Sequence, residues 1–149
     1  MVSASLLDIN VLLALGSMNH VHYEAAKAWF KRKHRGDWAT CPFTECGFLR
    51  ISANKRLTAG AGNLESALAV LQTLRKEPGH VFMPDDYSPL DQPLFAKLQG
   101  HDQVTDAYLL GLCVKRKAKL ATFDAALKTM AADLLGDASR VLLIPTSAS

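Results

Sequence analysis

The sequence predicts an α/β fold in which one sheet of four or five mostly parallel strands carries helices on both faces. Short apolar runs typical of buried strands alternate with longer stretches of helical period, and this alternation favours a parallel sheet. The chain has 149 residues, of which 49% are hydrophobic, enough for the core of one domain of common size. We therefore expect one domain over residues 1–145 and a disordered tail over 146–149.

The individual elements follow from hydrophobic periodicity and from glycine, proline and basic stop signals. The predicted strands are residues 3–7, 38–41, 81–83, 120–123 and 141–144. The predicted helices are residues 11–16, 22–35, 42–55, 64–76, 90–98, 107–114 and 125–132, with a glycine-rich loop at 58–63. Residues 107–114 are apolar on every side, so their helix, opened by residues 100–106, should be central to the fold.

Composition narrows the class of protein. No apolar run reaches the length of a membrane span, and the first residues lack a basic-then-apolar leader, so we expect a cytoplasmic protein with no membrane contact. The odd count of three cysteines favours reduced thiols over a disulfide framework. A net charge of +3 is compatible with a nucleic-acid partner but does not by itself indicate one.

Four acidic residues are predicted to meet at one edge of the sheet. Asp8 directly follows the first strand, and Asp124 directly follows the fourth. Glu45 lies in the first helical turn after the second strand, and Asp106 lies in the first turn of the central helix. Functional groups gather where parallel strands end. Each acid alone is explained by helix capping or the helix dipole, whereas four together repel one another unless a cation lies between them.

The chemistry of this set indicates a hard metal ion. Clusters that offer only oxygen suit Mg²⁺ or Mn²⁺, and no histidine accompanies the acids at zinc-like spacing. The sequence contains neither a glycine-rich phosphate loop nor a G-x-S-x-G turn. Acids that hold Mg²⁺ can polarise a phosphodiester and activate water. Asp102 is a further acid nearby, which we interpret as a loop or cap residue.

Four segments together resemble PIN-domain ribonucleases, and more narrowly VapC-type toxins of bacterial toxin–antitoxin pairs. The segments are D-x-N-V-L-L-A-L from Asp8, T-E-C-G-F-L-R over 44–50, V-T-D-A-Y-L over 104–109 and L-A-T-F-D over 120–124. The resemblance covers nearly the whole chain. It implies a PIN-like three-layer α/β/α fold and a Mg²⁺-dependent endoribonuclease that leaves a 3′-hydroxyl and a 5′-phosphate. The catalytic and metal-binding residues that it implies are Asp8, Glu45, Asp106 and Asp124, with Asn10 and Thr122 in support.

The resemblance also implies two partners, an RNA substrate and a small antitoxin, and it allows a homodimer. Arg50, Lys115 and Arg116 are candidates for phosphate contacts, although a solvated helix end is the better explanation for any single one of them. His20 and His22 are expected at the surface, His20 being the candidate to face substrate. The antitoxin would lay a basic segment across the acids, and the apolar residues Leu12, Leu13 and Met18 are candidates for its groove.

Three other functions stay open at this stage. A PIN nuclease with a housekeeping role in RNA processing would use the same site. A non-catalytic module could keep a metal-binding or RNA-binding pocket. An aspartate-nucleophile phosphatase is disfavoured, because that chemistry requires a second aspartate two residues after the first, where this chain has Asn10.

Overall fold

Five short strands form one parallel sheet in the computed structural model, which describes residues 3–32, 36–58 and 62–146. The strands are β1 Ser5–Leu7, β2 Trp38–Thr40, β3 His80–Phe82, β4 Lys119–Thr122 and β5 Val141–Leu143. Their order across the sheet is β3-β2-β1-β4-β5, and each neighbouring pair is parallel. The predicted α/β fold is therefore confirmed. Residues 147–149 of the predicted tail lie outside the described residues.

Helices cover both faces of the sheet. They are α1 Ile9–Gly16, α2 Tyr23–Phe30, α3 Pro42–Ser52, α4 Leu64–Arg75, α5 Val104–Arg116 and α6 Ala125–Leu135. The first four pack on one face around Leu7 and Ala121, and α5 and α6 pack on the other around Leu6 and Leu120. No helix in the described ranges is long and apolar enough to cross a membrane.

The alternation of side chains along β1 and β4 decides which groups reach which face. Leu6 and Leu120 point toward α5, whereas Leu7 and Ala121 point toward α1. Because successive side chains of a strand point to opposite faces, Thr122 continues the α5 side of β4. Phe123, the next residue, packs on the α1 side. The carboxyl end of β4 therefore presents different chemistry to each layer.

The predicted helix over residues 90–98 is wrong. Two 3-10 turns, Pro89–Asp91 and Pro93–Lys97, occupy this stretch. Pro93 has no backbone N–H and its ring blocks a continuous α-helix, so the chain restarts in a second tight turn. The predicted helix over 22–35 begins at Tyr23, and its α-helical part ends at Phe30; residues 33–35 lie outside the described residues, as do 59–61 of the predicted loop.

A close contact fixes α5 against the segment that follows β3. The ring of Tyr87 stacks on Tyr108 with centroids 4.9 Å apart and planes 5° apart. Its hydroxyl donates to the backbone oxygen of Tyr108 at 2.5 Å. This approach is possible because Gly111 has no side chain: a Cβ there would overlap the Tyr87 hydroxyl.

We predict that Gly111→Ala destabilises the protein. Overpacking a tight contact typically costs about 1–3 kcal/mol. The overlap of the added Cβ with the Tyr87 hydroxyl places Gly111→Ala in the upper part of that range, above the roughly 1 kcal/mol that alanine gains over glycine in a helix. Urea unfolding of Gly111→Ala, Tyr87→Phe and the double variant measures the effect. The double variant should recover part of the loss, because the hydroxyl is the nearest atom. A Gly111→Ala protein more stable than wild type would contradict the packing described here.

Candidate active site

Asp8 lies at the end of β1 and is tied to the end of β4. Its Oδ2 accepts a hydrogen bond from Thr122 Oγ1 at 2.9 Å, and its Oδ1 accepts one from the Ile9 N–H at 2.8 Å. Asp8 is 8% exposed and Thr122 is fully buried. The parallel register that pairs Leu7 with Ala121 brings these two side chains together. Asp8 is therefore both the N-cap of α1 and a carboxylate held at the sheet edge.

Burial raises the pKa of Asp8, with a smaller contribution from the nearby Asp124. The hydrogen bonds from Thr122 and Ile9 act in the opposite direction, because they stabilise the carboxylate. The net pKa is raised above the ordinary value for aspartate. Burial of the charged Asp8 carboxylate thus costs free energy, and a nearby cation would offset that cost.

Asp106 and Asp124 face the same place from the two helices of the other layer. Asp106 lies in the first turn of α5, and its pKa is raised to about 6 by burial and by the charges of Asp8, Asp124 and Asp102. Asp124 caps α6 through the Ala126 N–H, and its own N–H donates to Thr122 Oγ1 at 3.1 Å. Thr122 therefore accepts from the Asp124 backbone and donates to the Asp8 carboxylate.

Asp102 is a further acid near this group, and it occupies a turn, as its interpretation as a loop or cap residue predicts. It lies in the 3-10 turn His101–Gln103 that leads into α5, and its charge contributes to the raised pKa of Asp106.

Glu45 takes part in a different set of contacts. Its carboxylate accepts a hydrogen bond from Thr40 Oγ1 at 2.5 Å and lies 3.6 Å from the Arg75 guanidinium. Thr40 Oγ1 is also 2.7 Å from His80 Nε2. Because the threonine gives its single proton to the carboxylate, it accepts the bond from His80. Burial and the Arg75 charge lower the pKa of His80, and Glu45 opposes them. The Glu45 side chain is thus directed toward β2 and β3.

The three aspartates offer the right atoms for a hard cation but stand apart. No group of three or more His, Cys, Asp or Glu side chains in the described part of the chain is close enough to share one metal ion. Burial raises the pKa of Asp106, and Asp8 and Asp124 are near enough for their charges to raise it further, so the three carboxylates border one region. Oxygen donors that repel one another fit a divalent cation such as Mg²⁺. Asn10 is exposed in the first turn of α1, beside this region.

The predicted phosphate-binding residues lie away from the aspartates. Lys115 and Arg116 are at the far end of α5, roughly 14 Å along the helix from Asp106. Both pair with Asp86, at 3.1 Å and 2.6 Å. Arg50 is exposed in the last turn of α3. Their role in RNA binding stays a prediction.

Sequence comparisons agree with this arrangement. Residues 5–133 match the model of the PIN domain. The chain is 42% identical to Ribonuclease VapC38 of Mycobacterium tuberculosis over 127 residues, which cover 85% of this chain and 89% of that protein. It is 38% identical to Ribonuclease VapC29 of the same organism over 142 residues, which cover 95% of this chain and 97% of that protein. The fold, the aspartates at the carboxyl edge of its sheet and these matches establish that the chain belongs to the PIN domain family.

Proposed function

We propose that this protein is a Mg²⁺-dependent endoribonuclease and the toxin of a toxin–antitoxin pair. The observation that carries the proposal is the placement of Asp8, Asp106 and Asp124 at one sheet edge, where burial and the charges of Asp8 and Asp124 raise the pKa of Asp106. Crowded carboxylates destabilise a fold unless they serve a cation. The ribonuclease names of the relatives supply the reaction class.

Each residue has a defined task in this proposal. Asp8, Asp106 and Asp124 would hold Mg²⁺, or Mn²⁺ in its place. The bound metal would neutralise charge on the scissile phosphate and lower the pKa of a water molecule. Thr122 orients Asp8 through its hydroxyl and the start of α6 through the Asp124 N–H. Glu45, whose carboxylate is held by Thr40 and Arg75, stays a predicted member of the acidic set, and Asn10 offers an exposed amide to substrate.

The proposed antitoxin site is an apolar groove between α1, α3 and α4. Its volume is about 590 Å³ and its lining includes Leu13, Phe48, Ile51, Leu57 and Val70. Leu13 was predicted to line such a groove. Leu12, predicted with it, is wrong, because its side chain is fully buried in the core. We propose that an amphipathic antitoxin segment fills this groove and extends a basic side chain toward the aspartates.

The first prediction of this proposal concerns catalysis. Asp8→Asn, Asp106→Asn and Asp124→Asn should each lower RNA cleavage by more than about 100-fold, because each removes charge from the proposed metal site. The assay compares purified proteins on RNA with Mg²⁺ and with EDTA, and adaptor ligation tests the products for 5′-phosphates. Asp133→Asn, an exposed acid on α6, is the control. Full activity of Asp8→Asn, or of wild type in EDTA, would refute the metal-dependent mechanism.

The second prediction concerns pH. Because the pKa of Asp106 is about 6 in the folded protein and 3.8 as its ordinary value, the native state holds more protons between these limits. The stability due to this group therefore falls as pH rises from about 4 to 6. In EDTA, the melting temperature of Asp106→Asn should equal that of wild type below pH 4 and should be higher than that of wild type above pH 6. For a half-buried group, after allowance for solvent screening, the expected gain in the free energy of unfolding is about 1–2 kcal/mol. Each kcal/mol raises the melting temperature by roughly 2–4 °C.

Two comparisons make this measurement decisive. Glu65→Gln removes an exposed acid from the first turn of α4, and it should lower the melting temperature slightly through the helix dipole. Mg²⁺ should stabilise wild type more than Asp106→Asn, because ligand binding stabilises the native state. If Asp106→Asn instead loses stability as Glu65→Gln does, and responds equally to Mg²⁺, Asp106 is a capping residue and the proposed site is wrong.

The third prediction concerns the partner. Leu57→Glu places a charge in the groove and should prevent co-purification with the product of the neighbouring antitoxin-like reading frame. Leu90→Glu is the matched control, since Leu90 is 95% exposed and lies outside the groove lining, whereas Leu57 is 62% exposed. Light scattering of the wild-type complex also reports whether a homodimer forms. Equal co-purification of both variants would place the antitoxin elsewhere.

A further inference from the structure

Three half-buried rings contact one another in sequence near the carboxyl end of β4. The ring centroids of His22 and Phe123 are 4.8 Å apart, and the ring planes make an angle of 35°. The ring centroids of His20 and His22 are 5.8 Å apart, with an interplanar angle of 46°. All three side chains keep part of their surface open to solvent. We call Phe123, His22 and His20 the ring platform. Neither histidine belongs to the hydrophobic core, and His20 also lines the groove proposed for the antitoxin.

The position of the ring platform is set by β4. Phe123 stands between Thr122, which bonds Asp8, and Asp124, so its Cα is one peptide unit from each. Thr122 is directed toward Asp8, whereas Phe123 packs against the core on the α1 and α2 side. The ring platform and the aspartates therefore occupy opposite sides of the same strand end.

The turn that carries the histidines is held in one shape. His20 Nδ1 accepts the His22 N–H at 3.0 Å, so the neutral ring carries its proton on Nε2. The His20 N–H donates to the Ser17 oxygen, and the Tyr23 N–H donates to the His20 oxygen, each at 3.0 Å. A surface fixed in advance binds its ligand with a smaller loss of conformational entropy.

We propose that the ring platform stacks a nucleobase of the RNA next to the scissile phosphate, with His22 as the central contact. This inference rests on the proposed function, because it assigns the substrate surface of that site. Every base has a π face, and proteins bind unpaired RNA by stacking its bases on aromatic and histidine rings. A phosphate at the aspartates would leave the adjoining base within reach of the other side of β4.

The test measures RNA binding and cleavage separately, using the full chain. The probe is a 12-nucleotide single-stranded RNA that spans a cleavage site mapped with wild-type protein. It carries 2-aminopurine, or an abasic residue, on one side of the cut or the other. Binding is measured in EDTA, where no cleavage is expected, and kcat and KM are measured in Mg²⁺. The proteins are wild type, His22→Ala, His22→Phe and Val21→Ala, a control in the same turn with an 86% exposed side chain.

His22→Ala should weaken binding by roughly 5- to 150-fold, the range for losing one stacked base. His22→Phe should stay within about 3-fold of wild type because it keeps the ring, and Val21→Ala should match wild type. Wild type should quench 2-aminopurine at one position. An abasic residue at that position should weaken RNA binding by wild type but leave RNA binding by His22→Ala unchanged. A merely structural role of His22 would not produce this non-additivity.

Two results would overturn the inference and leave the proposed function intact. One is equal loss from the abasic residue in wild type and His22→Ala. The other is RNA binding by His22→Ala at wild-type strength. That result would overturn the inference even if this variant no longer bound the antitoxin. If wild type neither binds nor cleaves RNA, the proposed function fails and the inference fails with it. Melting curves of every variant confirm that the proteins compared are folded.

Discussion

The hydrogen bond between Thr122 and Asp8 is the constraint on which the site depends. It joins the ends of β1 and β4, and both side chains are buried. A buried carboxylate without such a partner would be costly, so the bond fixes where Asp8 can be. The same hydroxyl accepts from the Asp124 N–H, which places the start of α6. One buried threonine thus sets the relative position of two of the three converging aspartates.

Asp106 and Glu45 occupy similar positions in the sequence but have different electrostatic surroundings. Each is an acid in the first turn of a helix that begins at the carboxyl edge of the sheet. Glu45 is compensated by Arg75 and by the Thr40 hydroxyl. Asp106 has acidic neighbours, and burial with their charges raises its pKa to about 6. The fold by itself gains nothing from that crowding, and this is why Asp106 is the acid on which the proposed metal site depends most.

The parts of the fold that could be predicted are those specified by local sequence. Strand ends follow from apolar runs, so Asp8 and Asp124 were placed at the sheet edge from the sequence alone. The direction of the Glu45 side chain could not be predicted, since it depends on Arg75 and His80, which lie far along the chain. The assignment of Leu12 to the groove is wrong for a similar reason: residues 11–15 of α1 are all apolar, so periodicity does not separate the buried residues from Leu13.

The pleat of β4 explains how three consecutive residues can serve three different purposes. Thr122 is directed to the buried carboxylate of Asp8, Phe123 to the opposite layer, and Asp124 to the start of α6. Because the side-chain period of a strand is two, inserting one residue before Thr122 would exchange the faces that Thr122 and Phe123 reach. The acidic site and the ring platform are therefore not independent additions to the fold. Both are consequences of the same register between β1 and β4, which the pairing of Leu7 with Ala121 fixes.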